Sequence, residues 1–233
     1  MEKAKRHRHE ALFTKRIKIF NHVFRNHIRT LPANSFYPEA FDIFRNPAIH
    51  DIIYMSSDIE LLESNFDVLV TSFPELILSW RSEVDQKLCA FIKDIKTLGI
   101  DLSRCENPLN FAIAGFTCSD CRSSTGSLKY PAVIMHPCAR SHRLSYRSKY
   151  EGDEKLVEEW TMSASWNDYG SVSFDADYAK TMADIVRMCG LDPEITTTSE
   201  MEELRPIFEC ISCHDAHEGR CMMTWSRAVC QLL

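Results

Sequence analysis

Phe116-Thr117-Cys118-Ser119-Asp120-Cys121 and Phe208-Glu209-Cys210-Ile211-Ser212-Cys213 are two copies of one hexapeptide, Phe-x-Cys-x-x-Cys, both set in the C-terminal half of the chain. Two thiolates three positions apart across a tight turn converge on one tetrahedral ion, which is why this spacing recurs in zinc sites. Two such knuckles imply a loop-rich region braced by ions. They say how a fold is held together and leave its partner unspecified.

After the first knuckle, residues Arg122 to Ser127 are polar and turn-forming, and an apolar run from Leu128 ends at His136-Pro137-Cys138. Proline disfavours α-geometry in the residue before it, which places His136 and Cys138 on an extended segment or sharp turn. Alternate residues on an extended segment share a face, so both side chains can reach one ion. Cys118, Cys121, His136 and Cys138 then make a complete set of three thiolates and one imidazole for Zn2+, with His142 the rival for the fourth place.

The second knuckle is followed by a turn at Gly219, a strand-like run from Arg220 to Trp225 and a helix from Ser226. That is the order of a ββα zinc finger, whose last ligands come from the helix. Cys230 is the only soft ligand on this helix, so the second set is Cys210, Cys213 and Cys230, with His214, His217 and Cys221 as the other claimants. A single four-thiolate ion shared by the two pairs is the competing arrangement. Two sites are preferred because each pair has its own neighbouring donors.

The front of the chain is different. Phe13, Ile17, Phe20, Phe24 and Ile28 recur at intervals of three and four, an amphipathic helix over 12–28 whose Lys15, Arg16, Lys18 and Arg25 mostly point elsewhere; Arg6 to His9 read as its frayed, solvated start. Pro38 to Arg45 and Pro47 to Met55 read as short helices, each opened by a proline. Pro74 opens the longest helix, with Ile77, Trp80, Val84, Leu88, Phe91 and Ile95 as its stripe. Residues 139–165 are mixed and charged and read as a mobile excursion. Asp175 or Asp177 caps a helix that Gly190 stops, and Ser199 with Glu202 forms a capping box for a short helix through Leu204. The fold class expected is therefore α+β, mainly helical. A helical region with a basic N-terminal helix (residues 1–100) precedes an irregular zinc-stabilised region with short strands (residues 101–233).

Charge and cysteine usage bound the function. Residues 1–29 carry nine Lys/Arg against two Glu, a local charge of +7 in a chain whose formal charge is −6. A basic head on an acidic body suits a nucleic-acid contact, a nuclear-targeting segment or docking of the head on the body. Ten cysteines without an apolar leader, and with pairs at ligand spacing, indicate a reducing compartment, nuclear or cytoplasmic. No apolar run approaches the length of a membrane span. No nucleophile elbow, P-loop or dinucleotide fingerprint is present, and His214-Asp215-Ala216-His217-Glu218 lacks the His-Glu-x-x-His order of zinc proteases. The reading is an intracellular zinc-stabilised protein-interaction module with no catalytic motif. The alternative is a nucleic-acid-binding zinc protein that uses the basic head with Arg140, Arg143 and Arg147.

Several phrases in this order carry a resemblance: Tyr130-Pro131 running to His136-Pro137-Cys138, Trp166-Asn167 before Phe174-Asp175, Cys189-Gly190-Leu191-Asp192-Pro193, Glu200-Met201-Glu202-Glu203-Leu204, and Met223-Thr224-Trp225. Together they resemble a largely uncharacterised, zinc-finger-like family abundant in mushroom-forming fungi, some members of which are described as F-box-like. The resemblance covers residues 100–233 and reaches the helical front only loosely. It implies that Cys118, Cys121, Cys210 and Cys213 match the family's cysteine pairs and that His136 and Cys138 match its His-x-Cys. The family pattern continues from Thr-Trp into a helix with histidines, where this chain has Gln231. The F-box-like members imply a further alternative, an adaptor in ubiquitin-ligase assembly.

Overall fold

The computed structural model describes residues 2–93, 107–121, 127–140, 148–215 and 219–232. The expected helix positions at Ile95 and Gly99, and the expected site residues His142, Arg143, Arg147 and His217, lie outside them. The fold is α+β and mainly helical. Its contacts divide it into two compact units, one built from residues 1–84 and 135–171, the other from 85–134 and 172–233.

The first unit is helical and is organised on α1 (Glu2–Ile28). The four-three-four spacing of Phe13, Ile17, Phe20 and Phe24 puts one stripe of the helix into the core, where each is at most 3% exposed. Around it lie α2 (Ala40–Phe44), α3 (Pro47–Ile53), α4 (Asp67–Val70) and the first part of α5 (Phe73–Lys93). Asn46 caps α3 by accepting from the Ala48 N–H at 3.0 Å, and Pro47 fills the first helical position, where no N–H is needed. The core is aromatic: Phe20 meets Phe66 at 5.7 Å, Phe24 meets Phe73 at 5.2 Å and Phe41 meets Tyr150 at 4.7 Å between ring centroids.

Three features depart from the sequence reading. The helix runs on through Arg6–His9 to Glu2, so the basic start is helical and exposed. Within the stretch 139–165, Gly152–Thr161 forms α6, which packs on α1, buries Val157, and is tied there by His9 Nε2 to Asp153 at 2.9 Å and by the Lys18 ammonium 3.6 Å above the Trp160 ring. Arg16 points inward, at 3% exposure. Its Nη1 donates to the carbonyls of Ile53, at 2.9 Å, and Met55, and its Nη2 to those of Ser56 and Ile59 at 2.8 and 3.0 Å. A planar fork of donors fits such a set of converging carbonyls, and a solvated cation does not supply it.

The imidazole of His27 lies 5.1 Å from the Phe73 ring and its Nε2 is buried without a hydrogen-bond partner. Burial pushes its pKa below the ordinary 6.5. The folded chain thus binds the proton less well than the unfolded chain, and stability present above that value is lost as pH falls through it. Replacing His27 by Phe keeps a ring against Phe73 and removes the titration. Melting temperature should then vary less between about pH 7 and pH 5 than in the unsubstituted chain.

The second unit combines short strands with helices. β1 (Gly115–Cys118) is the central strand of a three-stranded antiparallel sheet, between β2 (Leu128–Lys129) and β3 (Val172–Phe174). Then come α7 (Ala176–Met188) and α8 (Thr198–Leu204), a hairpin of β4 (Ile207–Asp215) and β5 (Gly219–Thr224), and α9 (Trp225–Leu232). Asp175 caps α7 through the Tyr178 N–H at 2.9 Å, and Gly190, at φ 75°, ends the helix. The capping box of α8 is Thr197 with Glu200, one pair earlier than Ser199 with Glu202, because Thr196 and Thr197 are engaged by Ala112 and Phe111.

Gly115 opens β1 where the Tyr178 ring, whose hydroxyl donates to the Ala112 carbonyl at 3.2 Å, lies directly against the backbone. A methyl group at position 115 would overlap that ring and the Ser127 hydroxyl. Gly115→Ala should cost about 2 to 3 kcal/mol, read as a shift in the denaturation midpoint, since overpacking at a buried contact has this scale.

Candidate metal centre

β1 delivers the first thiol. Its register sets Phe116 against Leu128 on one side and against Phe174 on the other, and Cys118 against Val172. Phe116 is fully buried, which anchors the strand and leaves Cys118 at its end, with Cys121 three residues on. The returning chain is tied back by the Ser127 hydroxyl donating to the Phe116 carbonyl at 3.0 Å.

The second half of the set comes from two short 3-10 turns. Ala132–Met135 is anchored by Val133 and Ile134, both fully buried, and Pro137–Ala139 by Ala139. His136 stands between them in extended geometry, φ −61° and ψ 123°, as a residue before proline prefers. Cys138 then sits inside a turn closed by the Ala139 N–H donating to the His136 carbonyl at 3.0 Å. Of the two arrangements expected here, an extended segment or a sharp turn, the structure has the turn, entered from an extended His136.

One ligand atom each from Cys118, Cys121, His136 and Cys138 lie within 4.8 Å of one another, and all four residues are half-buried. A tetrahedron with metal–sulfur bonds of roughly 2.3 Å has edges of roughly 3.8 Å, so no two donors stand more than about one ångström beyond the spacing of closed coordination. Burial pushes the His136 imidazole below its ordinary pKa, which keeps it in the neutral form that donates a lone pair. Three thiolates and one imidazole suit Zn2+ and fill its four positions, the composition of a structural rather than a catalytic site. The residues present therefore fit the ion.

Of the second set, Cys210 lies on β4 and is half-buried; Cys213 also falls on β4 and Cys230 on α9, and their side chains lie outside the described residues. Cys221, on β5, is the register partner of Cys210. The first cluster is complete without any of them, so the two cysteine pairs need not share an ion. Arg140, expected among nucleic-acid contacts, is 6% exposed instead: its Nη1 lies 3.5 Å from Glu39, and its Nη2 donates to the Tyr37 carbonyl. Nothing in composition distinguishes such an arginine from a surface one.

No helix among the described residues is long and apolar enough to cross a membrane. Comparison with protein-family models, with curated proteins and with solved structures yields no match.

Proposed function

We propose that the chain is a zinc-stabilised protein-interaction module working in a reducing compartment, nuclear or cytoplasmic. The observation that carries it is the convergence of Cys118, Cys121, His136 and Cys138. A site whose four places are taken by protein donors offers none to a substrate, so the ion's role is to hold the chain. The described cysteines are thiols, as metal ligands require. The binding surface is assigned to the helical unit, where Ile59, Leu62 and Val68, within one ten-residue stretch of sequence, stand 44%, 57% and 69% exposed. The second set, Cys210, Cys213 and Cys230, belongs to the same reading as a further zinc site.

A second reading, nucleic-acid binding, is favoured by the exposed helical start of α1, with Lys3, Lys5, Arg6 and Arg8 on two turns. It keeps this head and loses Arg140, which is buried.

Retention of proteins on the immobilised zinc-loaded chain separates the two. The interaction reading expects a defined partner that Leu62→Asp with Val68→Asp releases and that chelation releases too. Salt-sensitive binding of DNA or RNA, with no partner retained, would replace it by the second reading.

A further inference from the structure

The hairpin of β4 and β5 runs in register from Ile207 opposite Thr224, through Phe208 opposite Met223 and Glu209 opposite Met222, to Cys210 opposite Cys221. Residues directly opposed across an antiparallel pair project from the same face, with Cα atoms about 4.5 to 5.5 Å apart. Two thiols so placed are within reach of one ion.

The two faces of the hairpin differ. Ile207 and Met222 are 66% and 56% exposed, and Arg220 pairs with Glu209 at 3.3 Å in solvent. The alternate positions Phe208, Cys210 and Cys221 are half-buried and Met223 is 9% exposed. The opposed cysteines therefore sit on the sheltered face.

Beyond this pair the register breaks. The next partners are Asp215 and Gly219, so the step from Cys210 to Asp215 on β4 is matched only by the step from Cys221 to Gly219 on β5. Three surplus residues fall within the stretch that contains Cys213. Residues three apart on an unbroken strand face opposite sides of the sheet, which would forbid a Cys-x-x-Cys pair from sharing an ion. The register shifts at this motif, so the alternation of an unbroken strand does not hold between Cys210 and Asp215.

We propose that Cys221 is a ligand of a second zinc ion, shared with its opposed partner Cys210 on the sheltered face of the hairpin and with Cys213 of the same knuckle. This deepens the reading that both cysteine pairs hold zinc and rests on it. With Cys230, already expected from the helix that follows β5, the set becomes four thiolates, the closed coordination of a structural site.

The test is zinc content per chain, by elemental analysis of the purified full-length protein, for the unsubstituted chain and for Cys221→Ser, Cys221→His and Cys118→Ser. Two ions are expected in the unsubstituted chain, one in Cys221→Ser, and two again in Cys221→His. After cobalt substitution, Cys221→His should show weaker thiolate-to-cobalt absorption. Two ions persisting in Cys221→Ser overturn the proposal; so does a loss that His does not rescue, which gives Cys221 a packing role alone. A single ion in the unsubstituted chain, removed by Cys118→Ser and kept by Cys221→Ser, leaves the first site standing and defeats the second. No ion in the unsubstituted chain defeats the reading on which both rest.

Discussion

Replacing Cys118 and Cys121 together by serine is expected to remove one zinc ion per chain and to abolish the cooperative folding of the region around β1. The effect is large because the sheet is small: β1 is four residues long, β2 two and β3 three, so the ion adds a strong tie to a short ladder and the apolar anchors beside it. A structural zinc site supplies on the order of 10 kcal/mol of apparent binding free energy at neutral pH, comparable with the whole stability of a domain. Elemental analysis and thermal denaturation check it. A strong chelator should reproduce the loss in the unsubstituted chain and add little in the variant. Equal melting of the two proteins in chelator-free buffer would show that the thiols do not carry the fold.

The second large effect is expected at Arg16. Replacing it by Met keeps most of the buried volume and leaves the carbonyls of Ile53, Met55, Ser56 and Ile59 without their donors. Hydrogen bonds to a charged group each contribute about 1.5 to 3 kcal/mol, and unmet buried acceptors add a desolvation penalty. Some of these carbonyls would regain water, so the net loss should be about 3 to 5 kcal/mol. Arg16→Lys should recover only part of it, because an ammonium cannot span four acceptors with a planar fork. The urea midpoints of the two variants decide the point; a Met variant as stable as the parent would make the guanidinium incidental.

Both expectations mark where sequence reading succeeds and where it stops. The first rests on local chemistry. A Cys-x-x-Cys knuckle and a His-Pro-Cys turn advertise their ligand geometry within a few residues, and the structure brings Cys118, Cys121, His136 and Cys138 together. The aromatic stripe of α1 was legible for the same reason, since Phe13, Ile17, Phe20 and Phe24 repeat at helical spacing whatever packs against them. Along α5 the stripe was legible in phase, with Ile92 in place of Phe91 as the buried residue after Leu88.

Arg16 and Arg140 were not legible, because what buries a cation is the arrangement of distant carbonyls and carboxylates. Helix α6 was missed because Gly152–Thr161 is rich in Asp and Glu, and its apolar members of the core around α1 are few, Val157 with support from Leu156. The shift of the α8 cap from Ser199 to Thr197 has the same origin. Thr197-x-x-Glu200 and Ser199-x-x-Glu202 are equivalent as sequence, and contacts with Phe111 and Ala112 choose between them. At the second knuckle, spacing shows a pair of thiols, while the third partner depends on a strand register that spacing does not contain.

X-ray absorption at the zinc edge, on a chain carrying Cys210→Ser and Cys213→Ser so that only the first site can fill, reads the donor set itself. One zinc ion per chain is expected, bound by three sulfurs at about 2.3 Å and one nitrogen at about 2.0 Å. A folded chain holding no zinc, or zinc bound mainly by oxygen, would contradict it.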